Sequence, residues 1–323
     1  MLVIQFDMRR SPATPDTQRE RYHACLEMVS WADQNNVDVV GFSEHHNTAD
    51  GFLSSPLMLA MGAAQVSQRI GISVSALLLP LHDPLRVAED IAVLDLVSNG
   101  RFMAVVGLGY RESEYRTMGV DWSRRGRVLD EKLKILLDAL SGEPFEINGE
   151  AMRLNPAPER PPQAMVCVGG NSAAAARRAA RFGLMFAPPI DDPALEAAYK
   201  AECEVQGFSG GAVLFPNEPS LTLISDNPDR DWDTVGEYLL YDALAYQDWK
   251  HPNRRAYAES SASDLEQLRA EGKYAIISPD EALQRIREKG SLNLSPLCGG
   301  MPIEYGWKSL ELFATEVAPH IGG

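Results

Sequence analysis

Three adjacent polar residues, Glu44-His45-His46, directly follow the apolar segment Val37 to Ser43. A histidine in this place can act as a general acid or base, because the pKa of an imidazole lies near neutrality. Adjacent residues of an extended segment point to opposite faces, so one histidine can face a site while its neighbour packs against the protein. For His46 we favour the second role, that of a hydrogen-bonded structural histidine.

The histidines and cysteines do not predict a metal site. His45, His46 and His82 have neither the i, i+4 spacing of a helical ligand pair nor the H-x-H spacing of a strand pair. The four cysteines are scattered along the chain without a CxxC pair, which argues against zinc. We expect Cys25, Cys167 and Cys298, which lie in apolar surroundings, to be buried free thiols, as is usual in a reducing compartment.

Gly169-Gly170-Asn171-Ser172 has the composition of a phosphate-binding loop. Glycines let backbone N–H groups approach an anion, Asn and Ser add side-chain donors, and the N-terminus of a following helix adds partial positive charge. The alternative is a simple helix cap, which Asn and Ser also favour. Arg177 and Arg178 lie within two turns and could reach the anion, although we expect both to be solvated.

Two other segments have small residues where a flat cofactor could approach the backbone. Gly107 and Gly109 flank Leu108 after an apolar segment, and plain turn chemistry explains them equally well. Ser75 and Ala76 interrupt an otherwise bulky apolar segment. Small side chains there either leave room for a ring system or permit tight packing inside a barrel.

These residues lie in and around a strand–helix–strand unit between Ile70 and Arg111. Ile70 to Leu79 and Phe102 to Val106 are almost continuously apolar, as in strands that are buried on both faces. Between them, Leu85 to Val97 has apolar residues close to helical spacing, and Asn99-Gly100 predicts its end. A βαβ unit of this kind requires a parallel sheet.

The rest of the chain continues the alternation of strands and helices. We predict a small hairpin between Glu143 and Pro162 and a late insertion between Asp226 and Tyr274, which is longer than one crossover requires. About eight βα units result, the number that closes an α/β barrel of the (β/α)8 TIM type, in one domain from 1 to 323. An open doubly wound sheet is the weaker alternative, because no first-turn G-x-G-x-x-G is present. The other predicted strands are 2–7, 37–43, 165–168, 184–187, 220–225 and 292–297, and the other predicted helices are 17–35, 56–68, 125–140, 173–182, 195–206, 231–249, 279–289 and 304–317.

Composition and charge limit the classes of partner. The chain has 323 residues and a formal net charge of −15, and its densest basic group is only Arg124, Arg125 and Arg127. A nucleic-acid ligand is therefore not expected. No apolar run reaches the ~18 residues of a transmembrane helix, and the N-terminus begins with a strand-like segment, so we expect a cytoplasmic protein without a membrane anchor.

Taken together, these segments resemble the bacterial luciferase-like monooxygenase superfamily over most of the chain. The resemblance implies a (β/α)8 barrel with a late insertion and a reduced flavin or deazaflavin across its C-terminal mouth. It is carried by Glu44-His45-His46, by LLLPLHDPLRVAEDIAVLDLVSNGRF (Leu77 to Phe102), by VGGNSAAAARRAARFG (Val168 to Gly183) and by LSPLCGGMPIEYGWKSLELFATEVAP (Leu294 to Pro319).

The resemblance also implies roles for individual residues. His45 matches the catalytic histidine of the luciferase branch, with Glu44 orienting or tuning it. Ser75 and Ala76 match the position of a non-prolyl cis peptide bulge behind the flavin ring. Gly169 to Ser172 match the phosphate-binding loop, here after the fifth predicted strand.

The implied function is that of an FMN-dependent monooxygenase for a small organic substrate, with a flavin reductase supplying reduced flavin and a second copy of the chain forming a homodimer. Leu108 stands where the luciferase branch carries a phosphate-contacting arginine, which leaves open a deazaflavin-dependent hydride transfer without oxygen. A basic patch for the polyglutamate tail of that coenzyme would favour this alternative. The candidates for this basic patch are Arg124, Arg125, Arg177 and Arg178.

A catalytically silent partner subunit and, more remotely, a metal-dependent hydrolase are further alternatives.

Overall fold

A computed structural model describes residues 1–216, 221–249 and 259–321 of the chain. Strands and helices alternate as predicted, and most of their boundaries lie within about two residues of the expected ones. The strands are β1 (Leu2–Phe6), β2 (Val39–Phe42), β3 (Gly71–Leu77), β4 (Phe102–Val106), β5 (Phe145–Ile147), β6 (Glu150–Met152), β7 (Val166–Gly169), β8 (Phe186–Ala187), β9 (Leu221–Ile224), β10 (Tyr274–Ile277) and β11 (Leu292–Leu294). The α-helices are α1 (Gln18–Gln34), α2 (Pro56–Val66), α3 (Pro84–Ser98), α4 (Glu112–Thr117), α5 (Arg125–Leu140), α6 (Pro162–Met165), α7 (Ala173–Arg181), α8 (Pro193–Gln206), α9 (Pro228–Asp248), α10 (Leu265–Glu271), α11 (Pro279–Lys289) and α12 (Ile303–Leu312).

The helices begin and end where the sequence supplies capping residues. Thr17 and Glu20 form a capping box before α1, in which the Thr17 hydroxyl accepts from the Glu20 N–H at 3.2 Å and the Glu20 carboxylate accepts from the Thr17 N–H at 2.7 Å. Asp83 caps α3 next to Pro84, and Asn99 ends the same helix in the left-handed conformation. Among the helices of the described residues, none is long and apolar enough to cross a membrane.

The first of two compact units contains residues 1–54, 66–70 and the described residues after 220. Its five strands are parallel, in the order β10-β9-β11-β1-β2, with Val3 of β1 opposite Val39 of β2. Parallel strands present their carboxyl ends at one edge of the sheet, which is where α/β proteins bind ligands. The polar segments after β1 and β2 therefore lie at that edge.

The second unit contains residues 55–65 and 71–216. Its parallel sheet has the order β3-β4-β7-β8, and the register of β3 against β4 shifts between Ser75 and Leu77. The predicted hairpin is present as the antiparallel pair β5 and β6. In both units helices connect parallel strands, which confirms the predicted α/β class.

One strand, β10, is not among the predicted strands. The predicted insertion extends to Tyr274, whereas in the structure β10 begins there and is the parallel neighbour of β9, from Tyr274 beside Leu221 to Ile277 beside Ile224. All four residues of β10 are buried, so a short apolar run after the insertion had the character of a strand. The described residues contain nine parallel strands rather than eight. Residues 250–258 of the predicted insertion and Ser220 of a predicted strand lie outside the described residues.

Helix α9 is fixed against the loop after β11 through a close backbone approach. Gly299 has a φ of +60°, and a Cβ at this residue would lie 1.8 Å from the carbonyl O of Tyr238. Glycine alone allows this contact. The approach helps to place Asp242, one turn further along α9, in the fully buried interior of the first unit.

Candidate active site

The residues predicted for the site are divided between the two units. Glu44 and His45 belong to the first unit and follow β2. The other predicted residues belong to the second unit and follow, or end, three of its strands. They are Ser75, Ala76, Gly107, Gly109, Gly169, Gly170, Asn171 and Ser172.

His45 is buried among aromatic rings. Its backbone N–H donates to the carbonyl O of Leu53 at 3.0 Å, which fixes the segment after β2. The ring centroids of Phe52 and Trp249 each lie 4.8 Å from the imidazole centroid in edge-to-face arrangement, and that of Tyr246 lies at 6.5 Å. Rings in these positions exclude water from the imidazole.

Glu44 forms a hydrogen bond with His46. Oε1 of Glu44 lies 2.8 Å from Nε2 of His46, and both side chains are buried. This contact agrees with the structural role favoured for His46. The role of Glu44 in orienting His45 stays a prediction.

Arg9 is not among the predicted site residues, but it lies close to the same rings. Arg9 follows β1 and is 0% exposed. Its guanidinium carbon lies 5.1, 4.6 and 4.7 Å from the ring centroids of Phe52, Tyr246 and Trp249, the three rings that also contact His45. A charged residue soon after an apolar strand was the available signal, but the rings come from distant parts of the chain.

Buried carboxyl groups accompany Arg9. Its Nε lies 3.1 Å from Oδ1 of Asp242 and 3.4 Å from Oδ2 of Asp50, and the Tyr274 hydroxyl donates to Oδ2 of Asp242 at 2.7 Å. Burial and, less strongly, the charge of Asp242 raise the pKa of Asp7 to about 7, against the opposing charge of Arg9. Burial also raises the pKa of Asp242. The first unit therefore contains a carboxyl group that can gain or lose a proton near neutral pH.

The peptide bond between Ser75 and Ala76 is cis, as the family resemblance implies. It lies at the register shift between β3 and β4. A Cβ at Gly107 would lie 3.0 Å from the Cβ of Ala76, so these two predicted segments are in contact. The Ser75 side chain is exposed and Ala76 is half-buried.

The loop after β4 is held by Tyr115. The Tyr115 hydroxyl donates to the carbonyl O of Leu108, between the two predicted glycines. The Tyr115 ring is fully buried, and its centroid lies 5.0 Å from that of Trp122 in edge-to-face arrangement. This loop therefore has a defined backbone position next to Ala76.

The predicted phosphate loop leads directly into α7. The Ser172 hydroxyl caps this helix by accepting from the Ala175 N–H at 3.3 Å. Gly170 has a φ of +139°, and a Cβ at this residue would lie 2.7 Å from the Cβ of Ala175, so the loop requires glycine. The N–H groups of Ala173 and Ala174 lie in the first turn, where an α-helix supplies no acceptor of its own. An oxyanion, such as the phosphate of a flavin or deazaflavin, therefore fits at this helix N-terminus.

Arg178 is not solvated, so this part of the prediction was wrong. Its guanidinium is buried, pairs with Asp130 and donates to the carbonyl O of Gly126 at 3.2 Å. The residue lies on the buried face of α7, where Asp130 of α5 compensates its charge. Arg177, the preceding residue, is exposed as expected.

Comparison with known protein sequences identifies related enzymes. A family model described as luciferase-like monooxygenase matches residues 1–288. The chain is similar to 4-hydroxyprotoasukamycin monooxygenase of Streptomyces nodosus subsp. asukaensis, with 32% identity over 139 residues that cover 41% of this chain and 38% of that protein. It is also similar to the alkanal monooxygenase alpha chain of Photorhabdus luminescens, with 27% identity over 173 residues that cover 52% of this chain and 48% of that protein. The chain thus spans less than half the length of these relatives.

Solved structures share the fold over almost the whole chain. Monooxygenase RslO1 of Streptomyces bottropensis has a TM-score of 0.74 at 20% identity and covers 99% of both chains. The oxygenating constituent of 3,6-diketocamphane monooxygenase of Pseudomonas putida, in complex with FMN, has a TM-score of 0.67 at 19% identity, covering 98% of this chain and 97% of that one. An F420-dependent secondary alcohol dehydrogenase has a TM-score of 0.66 at 15% identity, covering 100% and 99%. These likenesses concern the fold, which is that of luciferase-like TIM-barrel enzymes.

Proposed function

The chain belongs to the luciferase-like monooxygenase family, and from this premise we propose that it is an FMN-dependent monooxygenase of a small organic substrate. His45 is the proposed catalytic residue and Glu44 a positioning residue. The proposed cofactor-binding residues are Ser75, Ala76, Gly107, Gly109, Gly169, Gly170, Asn171 and Ser172.

The observation that carries the proposal is the glycine-containing loop that leads from β7 into the N-terminus of α7. Ser172 caps α7, and Gly170 lets the loop approach that helix closely. First-turn N–H groups at a helix end favour a phosphate through both hydrogen bonding and the helix dipole. The contact between Ala76 and Gly107 adds a surface of small groups beside the same sheet edge, as a flat ring requires.

His45 is suited to hold and move a proton at one of its ring nitrogens. The rings of Phe52 and Trp249, both 4.8 Å from its centroid, exclude water from the transfer. Glu44 fixes the neighbouring His46 and thereby the backbone on which His45 stands. A bound reduced flavin supplies the electrons that activate molecular oxygen.

In the proposed function, a flavin reductase supplies the reduced cofactor, and the protein is a cytoplasmic homodimer with one luciferase-like domain. The segment between β9 and β10 shapes the substrate site. In support of this, α9 of that segment contributes Tyr246, which contacts the ring of His45.

A deazaflavin-dependent hydride transfer is the second candidate, since an F420-dependent dehydrogenase has the same fold. Its coenzyme carries an acidic tail, for which a basic patch is needed. Two of the four candidate arginines are engaged within the protein: Arg178 pairs with Asp130, and the Arg125 guanidinium lies 3.9 Å from the ring centroid of Trp122. Only Arg124 and Arg177 are exposed, which favours FMN.

Side-by-side titration with FMN, reduced FMN and coenzyme F420 tests this choice. We expect reduced FMN to bind more tightly than the deazaflavin and the protein to consume oxygen when substrate is added. A clear preference for the deazaflavin, without oxygen consumption, would favour the second candidate. Absence of binding by all three would favour a catalytically silent subunit.

A further inference from the structure

Two arginines in the first unit are 0% exposed, but their hydrogen bonding differs. Arg21 donates from Nη1 to the carbonyl O of Met301 at 2.8 Å and from Nη2 to that of Leu297 at 2.7 Å. For Arg9, neither Nη1 nor Nη2 has a hydrogen-bond partner among the described residues. Arg21 thus lacks an acceptor at Nε alone, whereas none of the three guanidinium nitrogens of Arg9 has a hydrogen-bond acceptor among the described residues.

Buried donors of a charged group without an acceptor are costly, and they are uncommon in native proteins. The Arg9 charge itself is compensated, because Nε faces Asp242 at 3.1 Å and Asp50 at 3.4 Å. Nη1 and Nη2, however, have no acceptor in the part of the chain that the structure describes. An oxygen atom of a ligand would accept hydrogen bonds from these two nitrogens.

The surroundings of Arg9 indicate where such a ligand lies. Its guanidinium carbon is 4.6 to 5.1 Å from the ring centroids of Phe52, Tyr246 and Trp249. His45, the proposed catalytic residue, contacts the same three rings. A substrate held by Arg9 would therefore place its apolar body among rings that also surround His45.

We propose that Arg9 is a substrate-binding residue whose Nη1 and Nη2 donate to a neutral oxygen acceptor, such as a carbonyl oxygen, on an apolar ring-bearing substrate. This inference rests on the proposed function and adds a substrate class to it. Arg9 binds the substrate and takes no part in proton transfer.

The class of acceptor follows from the charges. Asp50 and Asp242 already face the guanidinium, so a carboxylate on the ligand would be repelled by two neighbouring carboxyl groups. A neutral oxygen accepts the same hydrogen bonds without that repulsion. Tyr246 and Trp249 are half-buried at the end of α9, so solvent reaches the surroundings of Arg9 from this side.

Calorimetric titration of the protein with three probes of similar size tests the proposal. Acetophenone carries a neutral carbonyl, benzoate carries a carboxylate, and ethylbenzene has no acceptor. We expect the wild-type protein to bind acetophenone at least about tenfold more tightly than either other probe, the factor that one net hydrogen bond contributes. Equal binding of ethylbenzene, tighter binding of benzoate, or no binding of acetophenone would overturn the proposal.

Arg9→Lys keeps the positive charge but removes the planar fork of donors. We expect this variant to lose most of the preference for acetophenone over ethylbenzene while its affinity for ethylbenzene stays within about twofold. Arg19→Lys, at an exposed arginine of the same unit, is the matched control and should retain the preference. An unchanged preference for acetophenone in Arg9→Lys would contradict the role of Arg9. If that variant does not fold, the comparison of the three probes on the wild-type protein still tests whether the site prefers a neutral oxygen acceptor.

The proposed function is tested separately by FMN titration of the same protein. Loss of the acetophenone preference in Arg9→Lys with unchanged FMN affinity supports a substrate role. FMN binding without any probe preference overturns the inference alone, whereas a probe preference without FMN binding overturns the FMN assignment alone.

Discussion

Nε2 of His46 lies 2.8 Å from Oε1 of Glu44, and the two buried side chains form a pair directly beside His45. The adjacent histidines thus have different surroundings: His46 faces a carboxylate, and His45 faces aromatic rings. Because His45 lies between Glu44 and His46 in the sequence, their contact also restrains the backbone of His45. We therefore propose a division of roles, in which His46 is structural and His45 transfers the proton.

Replacement of His45 tests its catalytic role. We expect His45→Ala to lower kcat by about 10²- to 10⁴-fold, the usual contribution of a general acid or base, while the cofactor dissociation constant changes by no more than a few-fold. Steady-state kinetics and flavin fluorescence titration measure the two effects. His23→Ala, at an exposed histidine of the same unit, is the matched control. A His45→Ala enzyme with normal kcat would rule out the role.

Replacement of the Glu44–His46 pair tests its structural role. We expect Glu44→Ala and His46→Ala each to lower the free energy of unfolding, and the double variant to lose less than the sum, with a coupling of about 1 to 3 kcal/mol. The reason is that either single replacement already removes the 2.8 Å hydrogen bond between Oε1 of Glu44 and Nε2 of His46, so the second replacement cannot remove it again. Urea unfolding of the wild type, both single variants and the double variant gives the coupling. Strict additivity would show that the contact contributes nothing to stability.

The phosphate loop can be tested without disturbing its helix. Substitution at Gly170 is unsuitable, because a Cβ there would lie 2.7 Å from that of Ala175. Ser172→Asp keeps a good N-cap but adds a negative charge at the proposed phosphate position, and Ser172→Asn keeps the cap without the charge. We expect Asp to weaken FMN binding by at least about tenfold and Asn to change it by less than about threefold, at similar melting temperatures. Equal FMN affinity in both variants would mean that the loop is a helix cap only.

The sequence predicts most of the fold because its signals are local. Thr17 with Glu20, and Asp83 with Asn99, define helix ends within a few residues of chain. The apolar run of β4 is likewise sufficient to identify a strand, and its observed bounds equal the predicted ones. β10 was missed because a strand of four residues gives a weak pattern at the end of a long irregular segment.

The candidate site is less predictable because its contacts join distant segments. Glu44 and His45 stand out through their types, and the contact of Glu44 with His46 is local, because residues two apart in an extended segment lie on the same face. Arg9 and Asp242 are separated by more than 200 residues, yet their side chains lie 3.1 Å apart. Arg178 looks solvated in sequence because its partner Asp130 belongs to another helix. Pairing of this kind depends on tertiary packing.

The raised pKa of Asp7 predicts that the stability of the protein depends on pH. This pKa is raised from 3.8 to about 7, mainly by burial. At a pH between these two pKa values, the Asp7 carboxyl is protonated in the folded protein but ionised in the unfolded chain. The contribution to stability is therefore fully present below the lower pKa and is lost as the pH rises toward and through the higher one. The raised pKa of Asp242 acts in the same direction.

Asp7→Asn removes this titration but keeps an oxygen that can accept from the Arg9 N–H, which donates to Asp7 Oδ1 at 3.0 Å. We expect the free energy of unfolding of the wild type to fall by roughly 1 kcal/mol per unit between pH 5 and 7, and that of the variant to fall less steeply. Carboxyl groups with lowered pKa, such as Asp33, lose their contribution only at more acidic pH, so this window separates them from Asp7. Urea unfolding at pH 5, 6 and 7 gives both slopes. Parallel slopes for the two proteins would show that Asp7 is ionised across this range and that Arg9 balances its charge throughout.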